Sequence, residues 1–263
     1  MSTMTENNLS SMLRDAVTLR KVEASIYSVL PNDETGSEYD SHFGFIYDLV
    51  ACNPVYNLVI WGYSIKIFSQ IASEALKSSQ NGPFLDIGCG SLAFTAKIYS
   101  QYAERPMVLA DQSLKMLRMA KEKFKKQKGG IPENVCFLHA DALQLPFKEN
   151  TFTTILSENL LHCLNNAEIL LKQLKSIVSG NGNMYFTTLV KANRFADKYL
   201  EMLANSGKLV SRNVKDHKRI FEQVGLSAKY KATGNLLVMK YPFTSSGVSA
   251  KVEQILSSQA MGY

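Results

Sequence analysis

The chain has 263 residues, 46% of them hydrophobic, which is enough for one large core, and it carries 29 basic against 23 acidic side chains. Its four cysteines are widely spaced and form no C-x-x-C pair, so neither a zinc site nor a disulfide framework is expected. No apolar run approaches the length of a membrane span, and the amino terminus lacks the pattern of a signal or transit peptide. These features predict a soluble, cytoplasmic protein without a metal site.

Residues 1–80 are predicted to form a helical extension that includes a lid. The segment from 39 to 76 is rich in aromatic residues and lacks the alternation of a strand. This indicates two helices broken near Asn53-Pro54, because proline disfavours helical geometry in the residue before it. Tyr39, Tyr47 and Trp61 are candidates for the substrate side of the lid, since such rings combine a large contact area with a polar tip. Core packing is the alternative for each ring taken singly.

The stretch that organises the chain is PFLDIGCGSL at 83–92, an apolar strand that ends in a glycine turn. Gly88 and Gly90 let the backbone turn tightly and approach a ligand where a Cβ would obstruct it. Taken alone, Gly88-x-Gly90-x-x-Ala93 also fits the dinucleotide-binding fingerprint. Asp86 argues against a dinucleotide, because its carboxylate would repel a pyrophosphate. A carboxylate there suits a cationic ligand, and S-adenosylmethionine carries a sulfonium and an ammonium group but no phosphate.

Two further acids follow the next two predicted strands. Asp111 lies about 20 residues beyond the glycines, where an ionised carboxylate can accept hydrogen bonds from both ribose hydroxyls. Asp141 follows the third strand, where its carboxylate can accept from the adenine amine while the backbone amide of Ala142 donates to a ring nitrogen. A turn or capping role is the alternative for Asp141. Its placement in step with Asp86 and Asp111 favours the cofactor role.

The fourth strand, at 153–156, is followed by the sequence SENLLH at 157–162. Ligands of open α/β sheets bind beyond the carboxyl ends of the strands, so His162 is a candidate for proton transfer near neutral pH. Packing of His162 on the following helix is the alternative. After a fifth strand, the chain has an amphipathic insertion at 191–208, a further helix, and two strands joined at Thr233-Gly234. So short a link requires those two strands to be antiparallel.

Four features together resemble the class I S-adenosylmethionine-dependent methyltransferases: LDIGCG at 85–90, ADQSLKML at 110–117, ADALQLPF at 140–147, and the helix, strand, strand ending. The similarity is greatest to the small-molecule group that includes quinone-biosynthesis C-methyltransferases. It implies an α/β fold with a doubly wound, mostly parallel, seven-stranded Rossmann-like sheet whose last strand is antiparallel. The implied domains are a helical extension and lid at 1–80, a cofactor-binding core at 81–241 and a tail at 242–263.

By position, the resemblance implies cofactor contacts that are spread along the sheet. They are Asp86, Gly88 and Gly90 at the methionine part, Asp111 with the adjacent Gln112 at the ribose, Asp141 and Ala142 at the adenine, and Ser157 near the transferred methyl group. The implied reaction is direct displacement of the sulfonium methyl group by a small-molecule nucleophile, which leaves S-adenosylhomocysteine. Alignment and exclusion of water are then the main tasks of the protein. A general base is needed only when the attacking atom must lose a proton, and His162 or a lid tyrosine would serve.

Two departures from the family pattern keep other functions open. Leu92 stands where many members have a third glycine, and Thr153 stands where an acid usually follows the phenylalanine. A protein that binds S-adenosylmethionine without turnover is therefore one alternative. An RNA or protein methyltransferase is another, because the charge balance is +6 and lysines concentrate at 121–128. Lysines near a helix C-terminus also complement the helix dipole, which makes nucleic acid the less favoured partner. The sequence indicates neither the acceptor nor the oligomeric state.

Overall fold

A computed structural model describes residues 4–31, 53–78, 82–192 and 194–242 of the chain. Within these ranges the strands are β1 Arg20–Glu23, β2 Ile26–Ser28, β3 Phe84–Ile87, β4 Met107–Asp111, β5 Val135–His139, β6 Phe152–Glu158, β7 Val178–Leu189, β8 Lys229–Thr233 and β9 Leu236–Tyr241. The helices are α1 Met4–Met12, α2 Pro54–Tyr56 with a π-helical continuation at Asn57–Trp61, α3 Lys66–Ser78, α4 Ala96–Gln101, α5 Leu114–Lys128, α6 Ala167–Ile177, α7 Ala196–Asn205 and α8 Val214–Gln223. A 3-10 turn lies at Leu161–Cys163.

All the strands of the described residues join one sheet in the order β1-β2-β5-β4-β3-β6-β7-β9-β8. The six from β2 to β7 in this order are parallel, and β9 is antiparallel to both of its neighbours. The predicted mostly parallel sheet and its antiparallel end are therefore confirmed. The predicted strand number of seven is wrong for the whole sheet, because the described residues contain nine strands.

The two additional strands, β1 and β2, form a hairpin that pairs with the edge strand β5. Ser25 turns the hairpin with a left-handed φ of +64°, and the next residue, Ile26, is fully buried. The hydroxyl of Ser28 lies 2.9 Å from Nδ1 of His139 and anchors the hairpin to β5. The sequence predicts a helical extension over residues 1–80, whereas this segment forms two strands. The unpaired edge of β5 favours a strand, because strand pairing satisfies backbone groups that would otherwise be exposed there.

The predicted helical lid is not confirmed. Tyr39 and Tyr47 lie outside the described residues, and the part that is described contains α2 and α3. Asn53 caps α2, since its side-chain oxygen accepts from the amides of Val55 and Tyr56 at 3.0 Å each. Gly62, at φ +71°, ends the π-helical turn and separates it from α3.

Helices cover both faces of the sheet, as a doubly wound fold requires. One face packs against apolar side chains of α3, α4, α5 and α7, and the other packs against α1, α6 and α8. The carboxyl ends of the parallel strands lie along one edge of the sheet, and they position the residues of the candidate site.

Candidate active site

The glycine turn follows β3 and is tied to the end of β4. The amides of Gly88 and Cys89 both donate to the carbonyl of Ala110, at 2.8 and 3.0 Å. Gly88 and Gly90 have φ values of +74° and +54°, which side chains rarely tolerate. A Cβ added at Gly90 would meet no atom within 4 Å, so open space lies beside the turn. A ligand can approach the backbone closely at that point.

Asp111, at the end of β4, holds the glycine turn. One carboxylate oxygen accepts from the amide of Gly90 at 2.8 Å, and the other accepts from the amide of Ser113 at 2.9 Å. A carboxylate can accept several hydrogen bonds, so these two contacts are compatible with the predicted ribose role of Asp111. The adjacent Gln112 has an exposed side chain, and its carbonyl oxygen lies 3.0 Å from Nε2 of His139. His139, which anchors the β1–β2 hairpin, is therefore also in contact with Gln112 at the candidate site.

Asp86 is only 3% exposed and lies beneath α4. Its Oδ2 accepts a hydrogen bond of 2.7 Å from the hydroxyl of Tyr99, while its Oδ1 is buried without a hydrogen-bond partner. Burial raises the pKa of Asp86 from 3.8 to about 7, the bond from Tyr99 opposes that rise, and the charge of Asp111 adds to it. A buried carboxylate with an unsatisfied oxygen fits a cationic ligand that supplies the missing donor.

Asp141 follows β5 and forms a tight turn with its own side chain. Its Oδ1 accepts from the amide of Leu143 at 2.8 Å, and its carbonyl accepts from the amide of Gln144 at 3.0 Å. The carbonyl of Ala142 lies 3.4 Å from the side-chain nitrogen of Gln173. Both residues lie at the edge where the adenine contacts are expected, and those contacts remain a prediction.

The end of β6 presents two polar residues on opposite faces of the sheet. Strand β6 pairs with β3 so that Leu156 is opposite Asp86, and side chains alternate along a strand. Glu158 therefore lies on the face of Asp86, whereas Ser157 points to the other face. Buried oxygens of both residues, Oε1 of Glu158 and Oγ of Ser157, have no hydrogen-bond partner. Sequence reasoning singled out Ser157 and missed Glu158, although counting the alternation from Asp86 could have found it.

His162 is 2% exposed and lies in the 3-10 turn after β6. Its Nδ1 accepts from the amide of Leu189 at 3.3 Å and lies 3.1 Å from the hydroxyl of Thr188. Burial, together with the nearby His217 and Arg212, lowers the pKa of His162 to about 3. The neutral imidazole thus connects β6 to β7. Its part in proton transfer stays a prediction.

Trp61 is 6% exposed and packs at the same edge of the sheet. Its ring centroid lies 5.6 Å from that of Tyr199 on α7, and its carbonyl accepts from the amide of Asn235 at 2.8 Å. The end of α2 and the helix α7 therefore meet beside the turn between β8 and β9. Together they form a wall near the candidate cofactor edge.

The two departures from the family pattern have different surroundings. Leu92 takes the left-handed backbone of a glycine, with φ +54°, although its side chain is buried. Thr153 lies at the start of β6, at the far end from Glu158, and its hydroxyl accepts from Arg105 at 3.2 Å. The missing acid therefore changes the surroundings of Arg105 and leaves the candidate site intact.

The lysines at 121–128 belong to α5, which ends at Gly129. Lys121 forms a 3.2 Å ion pair with Glu23 of the hairpin, and Lys123 donates to the hydroxyl of Ser91 at 2.7 Å. These two lysines stabilise the fold. Among the residues described, no helix is long and apolar enough to cross a membrane, and no cluster of three potential metal ligands occurs.

Residues 85–186 match the family described as Methyltransferase domain. The chain is 21% identical to the ubiquinone/menaquinone biosynthesis C-methyltransferase UbiE of Vibrio cholerae, over 75% of this chain and 84% of that protein. It is 29% identical to the malonyl-[acyl-carrier protein] O-methyltransferase of Legionella pneumophila, over 40% of this chain and 35% of that protein. The magnesium protoporphyrin IX methyltransferase of Synechocystis PCC 6803, solved with bound S-adenosylhomocysteine, has a similar structure. It aligns with a TM-score of 0.56 at 17% identity, over 77% of this chain and 95% of that chain.

Proposed function

We propose that this chain, which belongs to the class I S-adenosylmethionine-dependent methyltransferases, transfers the methyl group of that cofactor to a small-molecule nucleophile. The observation that carries the proposal is the unsatisfied oxygen of Asp86 beside the open glycine turn. A dinucleotide would place a pyrophosphate against this carboxylate, which is unfavourable. The ammonium group of S-adenosylmethionine would instead provide a donor with an opposite charge.

The proposed cofactor residues follow the order of the strands. Asp86 would accept from the ammonium group, and Tyr99 holds its carboxylate in place through the 2.7 Å bond. Asp111 would accept from the ribose hydroxyls while it holds Gly90. Asp141 and the amide of Ala142 would bind the adenine, with Gln112 and Ser157 at the margins of the site.

The cofactor supplies an electrophilic methyl group when it is bound, so the protein's task is alignment and exclusion of water. The buried surroundings of Asp86 and the wall around Trp61 serve this task. The relatives named above methylate carbon in one case and oxygen in another, by their names. We propose that the acceptor enters along the Trp61 wall.

A transfer assay with methyl-labelled S-adenosylmethionine tests this function. The acceptors are panels of quinols, phenols and carboxylic acids, with bulk RNA and a protein lysate as separate panels. We expect label in the small-molecule fraction with wild-type protein and much less with Asp86→Asn. Label confined to RNA or protein, or cofactor binding without transfer to any panel, would contradict the proposal.

A further inference from the structure

Glu158 is the last residue of β6 and follows Ser157, the residue predicted to lie near the transferred methyl group. Leu156 pairs with Asp86 across β6 and β3, and Glu158 is two residues closer to the carboxyl edge on the same face. The two carboxylates are therefore about 7 Å apart along the sheet, given the rise of about 3.3 Å per residue. On the other side, Glu158 pairs with Thr187 of β7, near the Trp61 wall.

Glu158 and Asp86 share one electrostatic environment. Burial raises the pKa of Glu158 well above 4.5, and the charge of Asp86 raises it further. The charge of Glu158 in turn contributes to the raised pKa of Tyr99, which is bonded to Asp86. In the part of the chain that the structure describes, neither carboxylate forms an ion pair with a lysine or arginine.

Two buried oxygens on the same face remain unsatisfied, Oε1 of Glu158 and Oδ1 of Asp86. Packing alone does not account for these two oxygens, because a buried carboxylate oxygen without a donor destabilises a fold. A ligand with two positive centres would satisfy both. The sulfonium and ammonium groups of S-adenosylmethionine are joined by a short carbon chain, which is compatible with the spacing of the two carboxylates.

We propose that Glu158 binds the sulfonium side of the cofactor and distinguishes charged S-adenosylmethionine from its neutral-sulfur product. This rests on the proposed function, because it assumes that Asp86 holds the ammonium group of the same ligand. The loss of the sulfonium charge on methyl transfer would then weaken the contact with Glu158. Product release is thereby favoured over release of the unreacted cofactor.

Calorimetry with three probes tests the role of Glu158. S-adenosylmethionine and sinefungin carry a positive charge near the transferred methyl group, whereas S-adenosylhomocysteine does not. For Glu158→Gln we expect the Kd of both charged probes to rise at least about tenfold, and the Kd of S-adenosylhomocysteine to change less than about twofold. Asp86→Asn should weaken all three probes together, since each carries the ammonium group.

Glu122→Gln is the matched control, because it removes the same charge from an exposed position on α5. It should leave all three affinities unchanged. Retained binding of S-adenosylhomocysteine by Glu158→Gln also shows that this variant is folded. An equal loss for charged and neutral probes, or no loss for any, would overturn the role of Glu158. Failure of the wild type to bind any of the probes would instead overturn the proposed function itself.

Discussion

Replacing Asp86 by asparagine should make the protein more stable and less able to bind its cofactor. The pKa of the buried acid rises from 3.8 to about 7. Each tenfold change in proton affinity is worth about 1.4 kcal/mol, so keeping this group ionised costs the folded state about 4 kcal/mol. Asparagine has nearly the same shape, and its amide oxygen can still accept the hydrogen bond from Tyr99.

The sign of the pH dependence follows from the raised pKa. The folded state binds the proton of Asp86 more tightly than the unfolded state does, so the contribution of this group to stability falls as pH rises from about 4 to about 7. In Asp86→Asn this loss is absent. The variant's advantage in the free energy of unfolding should be about 4 kcal/mol near pH 8 and about 2 kcal/mol near pH 5.

Urea denaturation of the cofactor-free wild type and variant at these two pH values measures the effect. An advantage that does not depend on pH, or a variant that is less stable near pH 8, would refute the reasoning. Calorimetry on the same samples should show about a tenfold or greater loss of affinity for S-adenosylmethionine, since a charged hydrogen bond is worth about 1.5–3 kcal/mol. Unchanged affinity for S-adenosylmethionine would show that Asp86 does not bind the cofactor.

Substitutions at three other positions test local features of the fold by urea denaturation. Leu92→Gly and Leu92→Ala both lose a buried side chain, but only glycine relieves the left-handed backbone at φ +54°. The glycine variant should therefore be about 1 kcal/mol more stable than the alanine variant. Equal stability would contradict backbone strain at this position. Thr153→Asp should raise the free energy of unfolding by about 1 kcal/mol, because it places a carboxylate beside the guanidinium of Arg105. Burial lowers the pKa of Arg105 to about 10, and a nearby negative charge would favour its charged form. A loss of stability would count against this pairing. His162→Gln should lower the free energy of unfolding by about 1–3 kcal/mol near neutral pH, since it disturbs the acceptor of the Leu189 amide. The wild type should lose stability below about pH 6.5, because the pKa of the buried His162 is lowered to about 3. The variant should lose less stability over the same pH range. The same pH dependence in wild type and variant would contradict this assignment.

The glycine turn and the parallel core could be predicted because local sequence and fold agree there. Apolar runs that end in Asp86 and Asp111 recur with helical patterns between them, and that alternation permits few topologies. The hairpin β1–β2 could not be predicted in this way. Its residues form strands because the edge of β5 offers them partners, and that edge exists only in the assembled sheet.

The candidate site was predicted in part for a similar reason. Asp86 and Asp111 lie on the same face because their strands are paired in register, with Leu109 opposite Asp86. Glu158 joins them only when the register between β3 and β6 is known. The burial of His162 also depends on tertiary contacts, because the amide of Leu189 comes from a different strand. Motif spacing therefore indicates the candidate site, while register decides which side chains share a face.

The most direct test of the cofactor assignment is calorimetric titration of the wild-type protein with S-adenosylmethionine, S-adenosylhomocysteine and NAD under the same conditions. The account predicts saturable heats for the first two compounds and none for NAD, because the carboxylate of Asp86 favours a cation and repels a pyrophosphate. Saturable binding of NAD, with no heat from either sulfur compound, would contradict it.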